Sequence, residues 1–413
     1  MLKKGMRVLM TGPALQYSNA GDRLLPRILG ETILSQAPDA QILYVSSAAD
    51  PRVARESPWL RVISPKREPI RLLWEALRCD AFVLGGAVTF HDHRMTMLKQ
   101  AVLSWLCRLG GGRVVVNAAS IQPIADPVCR MLVRLTYRAS TSFAVRDPQS
   151  IQNALDLGIR GPVRRSPDPG VITPARTTPE ETVTAEKIWE DEGLPLDRPV
   201  IAIAPHFFSN RGKYHQASYA HFDREYESYS DEVLDHYYES LASIADRLAA
   251  VGRIVFVPLC TSTPPGDDRA AAEWIRDRMN HGANTFSVQG HHTIDGVQAI
   301  LARCDVLIAS RLHGYAMAAG AGVPSLAIEF HPKMRGLAED LGLTDWLFPF
   351  EAIPTDEIIA CVESILADPN AARQRTREGV ARVTSIARAE FLSALAGVPI
   401  DPKELEGESG NDG

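Results

Sequence analysis

Short apolar runs of about four or five residues recur along this chain and alternate with stretches of helical length. Arg7–Thr11, Gln41–Val45, Ala81–Leu84, Arg113–Asn117 and Ser142–Ala144 read as strands in the first part. Helices are expected between them over Asp22–Gln36, Met95–Leu109, Pro127–Arg138 and Pro148–Leu157. Gly110-Gly111-Gly112 ends one helix and opens the next strand. This βαβα rhythm predicts a parallel, doubly wound sheet with helices on both faces.

The rhythm breaks over residues 161–197, where Pro162, Pro167, Pro169, Pro174, Pro179 and Pro195 punctuate a polar stretch. It then restarts. Val200–Ala204, Arg253–Leu259, Thr285–Val288, Asp305–Ala309 and Ser325–Ile328 read as strands. Asp231–Val251 and Asp268–Met279 read as helices. The expected organisation is an N-terminal Rossmann-like domain over 1–165, a linker over 166–197, and a second Rossmann-like domain over 198–370. A C-terminal helix follows, with an acidic tail, Glu404–Gly413, expected to be disordered. Two such halves would face each other across a cleft.

The composition narrows the class. The chain has 413 residues, 45% hydrophobic and 23% charged, which suits a soluble two-domain protein. A net charge of −6 argues against general nucleic-acid binding. The longest apolar stretches, Ala81 to Phe90 and Val200 to Phe208, fall short of the ~18–20 residues of a membrane span. The start Met1-Leu2-Lys3-Lys4 leads directly into strand-like sequence, not into a signal-peptide h-region. Six scattered cysteines form no CxxC pair, and a reduced, cytoplasmic protein is expected.

Chemistry-bearing residues cluster where strands end and helices begin. Ser310-Arg311-Leu312-His313 follows the strand at Asp305–Ala309 and opens a helix. Open α/β sheets bind ligands at such points, because backbone N–H groups and the helix dipole favour an anion. Arg311 offers a planar fork, and His313 can exchange a proton near neutral pH. Asn19, Gly21 and Asp22 suit a tight turn and helix cap after the first strand; the turn has neither G-x-G-x-x-G nor a P-loop. Gly85-Gly86 follows another strand and permits close approach of a ligand or of another strand. Arg146 ends a strand just before a helix, as an anion contact or an ordinary ion pair. His206 follows Val200–Ala204. Lys333 and Arg335 start a helix, where the dipole disfavours cations unless an anion answers them. Asp267 and Asp268 are accounted for as helix caps, and His91-Asp92-His93 is a poor geometry for one metal ion. Arg130, Arg134 and Arg138 form a basic stripe, read as a solvated face or as a contact for anionic lipid.

Together these pieces resemble the polysaccharide pyruvyl transferase family over most of residues 6–345. The resemblance rests on Asn19-Ala20-Gly21-Asp22, Gly85-Gly86, Val145-Arg146-Asp147 with Ser150, and Pro167-Asp168-Pro169. Above all it rests on Ser310-Arg311-Leu312-His313, with Ala321-Gly322-Val323-Pro324, Pro332-Lys333 and Glu339-Asp340-Leu341-Gly342 continuing it. The chain departs from the family at Ala87 and at Phe330-His331. The resemblance implies a GT-B-like fold and a phosphoenolpyruvate-dependent transferase of glycan biosynthesis, which makes a ketal across two sugar hydroxyls. Phosphoenolpyruvate is then a co-substrate, and no cofactor or metal is called for. It further implies His313 as acid–base group, with Arg311, and with His206 as a second candidate. Arg146, Leu312, Lys333, Asn19, Gly21, Asp22, Gly85 and Gly86 are implied in substrate binding. The expected partners are phosphoenolpyruvate and a sugar or glycan acceptor, free or lipid-linked. The expected place is the cytoplasm, up to the inner face of the membrane. The competing expectation is a GT-B glycosyltransferase using a nucleotide-sugar; a catalytically silent binding protein of the same fold is a third.

Overall fold

A computed structural model describes residues 2–13, 15, 19–47, 50–86, 88–172, 186–194, 199–208, 229–261, 267–282 and 285–398. The tail Glu404–Gly413, Ala87, and Pro174, Pro179 and Pro195 of the proline-rich stretch lie outside the described residues. The chain forms two compact units. One comprises Met1–Tyr17, Asp22–Ile172 and Ala381–Gly413; the other comprises Ser18–Gly21 and Thr173–Val380. The divisions thus fall after Ile172 and inside the last helix, where the sequence suggested 165 and 370. Pro169–Ile172 is a buried 3-10 turn that belongs with the first unit. The last helix, Pro369–Ala396, is continuous through the second division.

The first unit holds strands β1 (Arg7–Thr11), β2 (Gln41–Val45), β3 (Arg61–Ile63), β4 (Ala81–Gly85), β5 (Val88–Phe90), β6 (Arg113–Ile121), β7 (Ser142–Val145) and β8 (Arg164–Arg165). Their order is β3-β2-β1-β4-β6-β7-β8, with β5 paired to β6. Every pairing is parallel. The second unit holds β9 (Val200–Ala204), β10 (Arg253–Phe256), β11 (Phe286–Ser287), β12 (Val306–Ala309), β13 (Ser325–Glu329) and β14 (Leu347–Pro349). Their order, β11-β10-β9-β12-β13-β14, is again wholly parallel. The central strands β4, β9 and β12 are buried at every position, as sheets covered on both faces require.

In each sheet the strand order reverses once: between β1 and β4, and between β9 and β12. Connections leave such a pair toward opposite faces, which opens a crevice at the carboxyl ends of the two strands. The first reversal is followed in sequence by Gly12 and by Gly86; the second is followed by Pro205-His206 and by Ser310-Arg311.

The first unit's core lies on both faces of its sheet. One side gathers Phe82, Leu84, Val114 and Val116 with Met97, Leu103 and Cys107 of the Arg94–Leu109 helix. The other gathers Val8, Met10 and Val83 with Phe391, Ala394 and Leu395 of the last helix. The Arg113 guanidinium also donates to the Leu395 carbonyl at 3.1 Å. Farther back, the same helix serves the second unit: Arg373 donates to the Cys304 carbonyl at 2.9 Å. Gly379 lets it approach the Leu341 carbonyl, which a Cβ would meet at 2.3 Å. Among the described residues no helix is long and apolar enough to cross a membrane.

Candidate active site

Beyond β9 the chain runs through Pro205-His206-Phe207-Phe208, and three successive backbone N–H groups are held by side chains. His206 donates to the Tyr237 hydroxyl (2.9 Å), Phe207 to the Asp268 carboxylate (3.2 Å), and Phe208 to the Tyr238 hydroxyl (3.2 Å). Tyr237 and Tyr238 are both fully buried on the Asp231–Leu248 helix. Each can accept there because its ring fills apolar space while its oxygen reaches the loop. The imidazole of His206 is half-buried, stacked on Phe208 with centroids 4.4 Å apart and met edge-on by Phe330 at 4.8 Å. Its Nδ1 lies 2.8 Å from the Phe207 carbonyl. A carbonyl only accepts, so Nδ1 carries the hydrogen and, in the neutral ring, the lone pair sits on Nε2. Burial, and then the charge of Arg311, holds His206 well below the ordinary histidine range; Lys333 adds to this, against the Phe207 carbonyl. The ring is neutral near pH 7, with its lone pair on Nε2.

Arg311 lies beyond β12, one residue before the Leu312–Gly320 helix. Its Nε lies 3.1 and 3.0 Å from the two oxygens of Asp268, and Nη2 makes a further bond to the same carboxylate. Asp268 is fully buried. Beyond Arg311 it accepts from the N–H groups of Phe207, Leu259 (3.1 Å) and Cys260 (2.8 Å). Burial lifts its carboxyl above the usual range, opposed by Arg311 and by these N–H groups. The preceding Asp267 is the helix cap, accepting from Arg269 N at 3.0 Å. One of the two adjacent acids therefore caps, as the sequence suggested, while the other anchors a guanidinium.

Asn19 and Gly21 join this cluster. Asn19 bridges Cys260 in antiparallel fashion, and Ala20 N donates to the Leu259 carbonyl at 3.0 Å. The Asn19 side chain takes the Gly21 N–H at 3.0 Å, turning the chain into its helix. The His313 ring lies directly on Gly21: a Cβ there would stand 1.9 Å from its Nδ1. Leu312 is buried as the first helical residue. Lys333 is half-buried at the start of the Pro332–Leu341 helix, which His331 caps by accepting from Lys333 N at 3.2 Å. Lys333 is close enough for its charge to bear on His206. Arg335 is turned away to Glu329, so its cation is accounted for by a surface pair.

The first unit places its candidates differently. A Cβ on Gly12 would stand 2.9 Å from the Gly85 carbonyl, and one on Gly85 would stand 2.8 Å from the Asn117 carbonyl. Gly86 has φ +76° and donates to Asn117 O at 3.2 Å. Gly12 and Gly85 thus allow close strand packing beside the reversal of the sheet, and a Cβ on Gly86 would stand 2.8 Å from Leu25 Cβ of the Ala20–Gln36 helix. Asp22 is half-buried in the first turn of the Ala20–Gln36 helix, where the dipole favours a carboxylate. Arg146 is buried, with its Nη1 on Asp168 at 2.5 Å and its Nε on Ser120 Oγ at 2.8 Å. Asp147 caps the next helix through Ser150 N at 2.7 Å. Of the two readings open for Arg146, the ion pair is present. In His91-Asp92-His93, Asp92 takes the N–H groups of Ala125 and Asp126, and His93 caps a helix. No metal-holding group of these residue types occurs among the described residues.

The second unit thus ties Arg311 and the loop after His206 to Asp268, sets His313 on Gly21 beside Asn19, and brings the charge of Lys333 to bear on His206. Sequence reading missed Asp268, Tyr237 and Tyr238 as the supporting frame. A pair of adjacent acids where one cap suffices, and two adjacent tyrosines inside a helix, were the signals.

A family model described as polysaccharide pyruvyl transferase matches residues 19–332. Among solved structures, a glycosyltransferase from Rickettsia africae is 12% identical, covers 98% of this chain and 100% of its own, and superposes with a TM-score of 0.58. The UDP-GlcNAc 2-epimerase of Neisseria meningitidis, bound to UDP-GlcNAc, is 12% identical over 95% of this chain and 100% of its own, with a TM-score of 0.56. At such identities the likeness shows the fold, which is GT-B-like.

Proposed function

The chain belongs to the polysaccharide pyruvyl transferase family, and from that premise we propose that it moves the pyruvyl group of phosphoenolpyruvate onto two hydroxyls of a sugar. The observation that carries the reading is the Arg311–Asp268 pair at the start of the helix that bears His313. A guanidinium fixed in this way, with the N–H groups of a helix N-terminus behind it, suits a ligand with both a carboxylate and a phosphate.

The CH₂ carbon of phosphoenolpyruvate gains a proton and becomes a methyl group. C2 becomes electrophilic and forms two C–O bonds to the sugar, while its bond to the phosphate oxygen breaks. The two hydroxyl protons end on the methyl carbon and on the departing phosphate. His313 gives the proton to the enol carbon, and His206, neutral with its lone pair on Nε2, takes one from a sugar hydroxyl. Arg311 and Lys333 hold the donor's anionic groups. Asp268 keeps Arg311 in register without touching the reacting atoms.

The test is phosphate release from phosphoenolpyruvate with a panel of sugar acceptors, comparing the native protein with Arg311→Ala and His313→Ala. Acceptor-dependent release that both variants lose supports the reading. No release with any acceptor, and no phosphoenolpyruvate binding by calorimetry, overturns it; a nucleotide that binds instead would favour a nucleotide-sugar transferase.

A further inference from the structure

Ten of the thirteen large apolar side chains exposed among the described residues lie on three helices of the first unit, Pro69–Arg78, Arg94–Leu109 and Pro127–Ala139. The middle helix packs against both of the others. It has two apolar faces. Met97, Ala101 and Cys107 go into the core. Met95, Leu98, Val102, Trp105 and Leu109, spaced three and four apart, form a seam on the solvent side. Ile70 (83% exposed) and Trp74 extend the apolar surface on one flank, and Val128 and Met131 on the other. A soluble helix ordinarily covers its apolar stripe, and among the described residues of this unit nothing covers the second stripe.

The charge around it says what does. The chain is net −6, yet these three helices carry eight Arg and Lys against a single acid, Glu75. Glu75 is bound to Arg7, while Arg71 and Arg94 are paired with Glu68 and Asp126 just outside their helices. Arg130 is turned onto the Ile124 and Asp156 carbonyls. Arg78, Arg108, Arg134 and Arg138 are exposed and have no carboxylate partner among the described residues. A second copy meeting this face would set cation against cation. An anionic lipid surface would receive both the cations and the apolar seam, and two indole rings, Trp105 in the seam and Trp74 on its flank, suit interfacial anchors.

We propose that this three-helix face docks the protein on a membrane surface bearing anionic lipid. The inference does not rest on the reaction proposed above. It is tested by sedimentation of the full chain with vesicles of phosphatidylcholine containing phosphatidylglycerol, against phosphatidylcholine alone. The native protein is expected to pellet with the anionic vesicles, and less so in high salt. Arg134→Gln/Arg138→Gln should lower the partition coefficient about tenfold or more, at about a fivefold loss per cation removed. Leu98→Ser/Trp105→Ser should lower it by a similar factor at unchanged charge. Val251→Ser, an exposed apolar side chain of the second unit, should leave it unchanged. All these side chains are exposed, and unchanged thermal melts establish that the variants fold. Failure of the native protein to bind anionic vesicles overturns the proposal. So does a dimer in sedimentation velocity that Leu98→Ser/Trp105→Ser dissolves while vesicle binding persists.

Discussion

Gly21 has no side chain because the His313 ring occupies that place: a Cβ would stand 1.9 Å from Nδ1 and 2.4 Å from Cγ. The two residues are far apart in sequence, and the absence of one side chain sets the position of the other.

Gly21→Ala should therefore move the imidazole and leave the rest of the second unit in place. On the proposed reaction, kcat is expected to fall about a hundredfold, the cost of displacing a catalytic group by about 1 Å. Stability should change by less than about 1 kcal/mol, since a helical Ala is intrinsically favoured over Gly. Steady-state kinetics and urea unfolding of the same variant check the two halves.

Asp268→Ala should behave in the opposite way. It leaves Arg311 without its partner and three N–H groups without an acceptor, at a cost of about 3–5 kcal/mol. Asp268→Asn keeps the volume and one acceptor oxygen. It should lose less stability, while KM for phosphoenolpyruvate rises because the guanidinium is no longer pinned. Denaturant midpoints and KM distinguish the pair.

Arg146 and Asp168 form a buried ion pair, each side chain 3% exposed. Arg146→Ala is expected to destabilise by about 3–5 kcal/mol, and Arg146→Met/Asp168→Leu to recover most of it. If the stable double variant still lacks activity, Arg146 binds the donor; if activity returns with stability, its duty is structural.

His91 is buried, and burial, with the charge of His93, takes it down to about 4. An unfolded histidine titrates near ~6.5, so between these values the unfolded chain binds more protons and stability falls as pH falls. The native protein should lose on the order of 1–3 kcal/mol between about pH 6.5 and 4 from this group. His91→Gln should flatten that part of the profile, as read from urea melts at several pH values.

The long uncharged strands were legible because burial on both faces leaves no room for polar alternation, as at Ala81–Leu84 and Val200–Ala204. The short edge strands were not: β3 begins with Arg61 and β8 is Arg164-Arg165, exposed or half-exposed residues with no apolar run. The Pro69–Arg78 helix is hard to read in the sequence because about half its apolar residues, Ile70, Leu73 and Trp74 among them, face outward. At the site, Arg311 and His313 could be read from the strand-to-helix junction. Asp268 could not, since an acid that caps and an acid that anchors look alike until the fold brings an arginine from another strand. Gly21 beside His313 is a tertiary fact of the same kind.

Phe391, Ala394 and Leu395 close one face of the first unit's core. When Ile172 leaves the ribosome, these side chains have not yet been made. At about 5–20 residues per second, they follow roughly 10–45 s later. Until then Val8, Met10 and Val83 lack their cover, so the segment synthesised first is completed last. Maturation of this chain is therefore not strictly vectorial, and a nascent first unit released early would expose an aggregation-prone face.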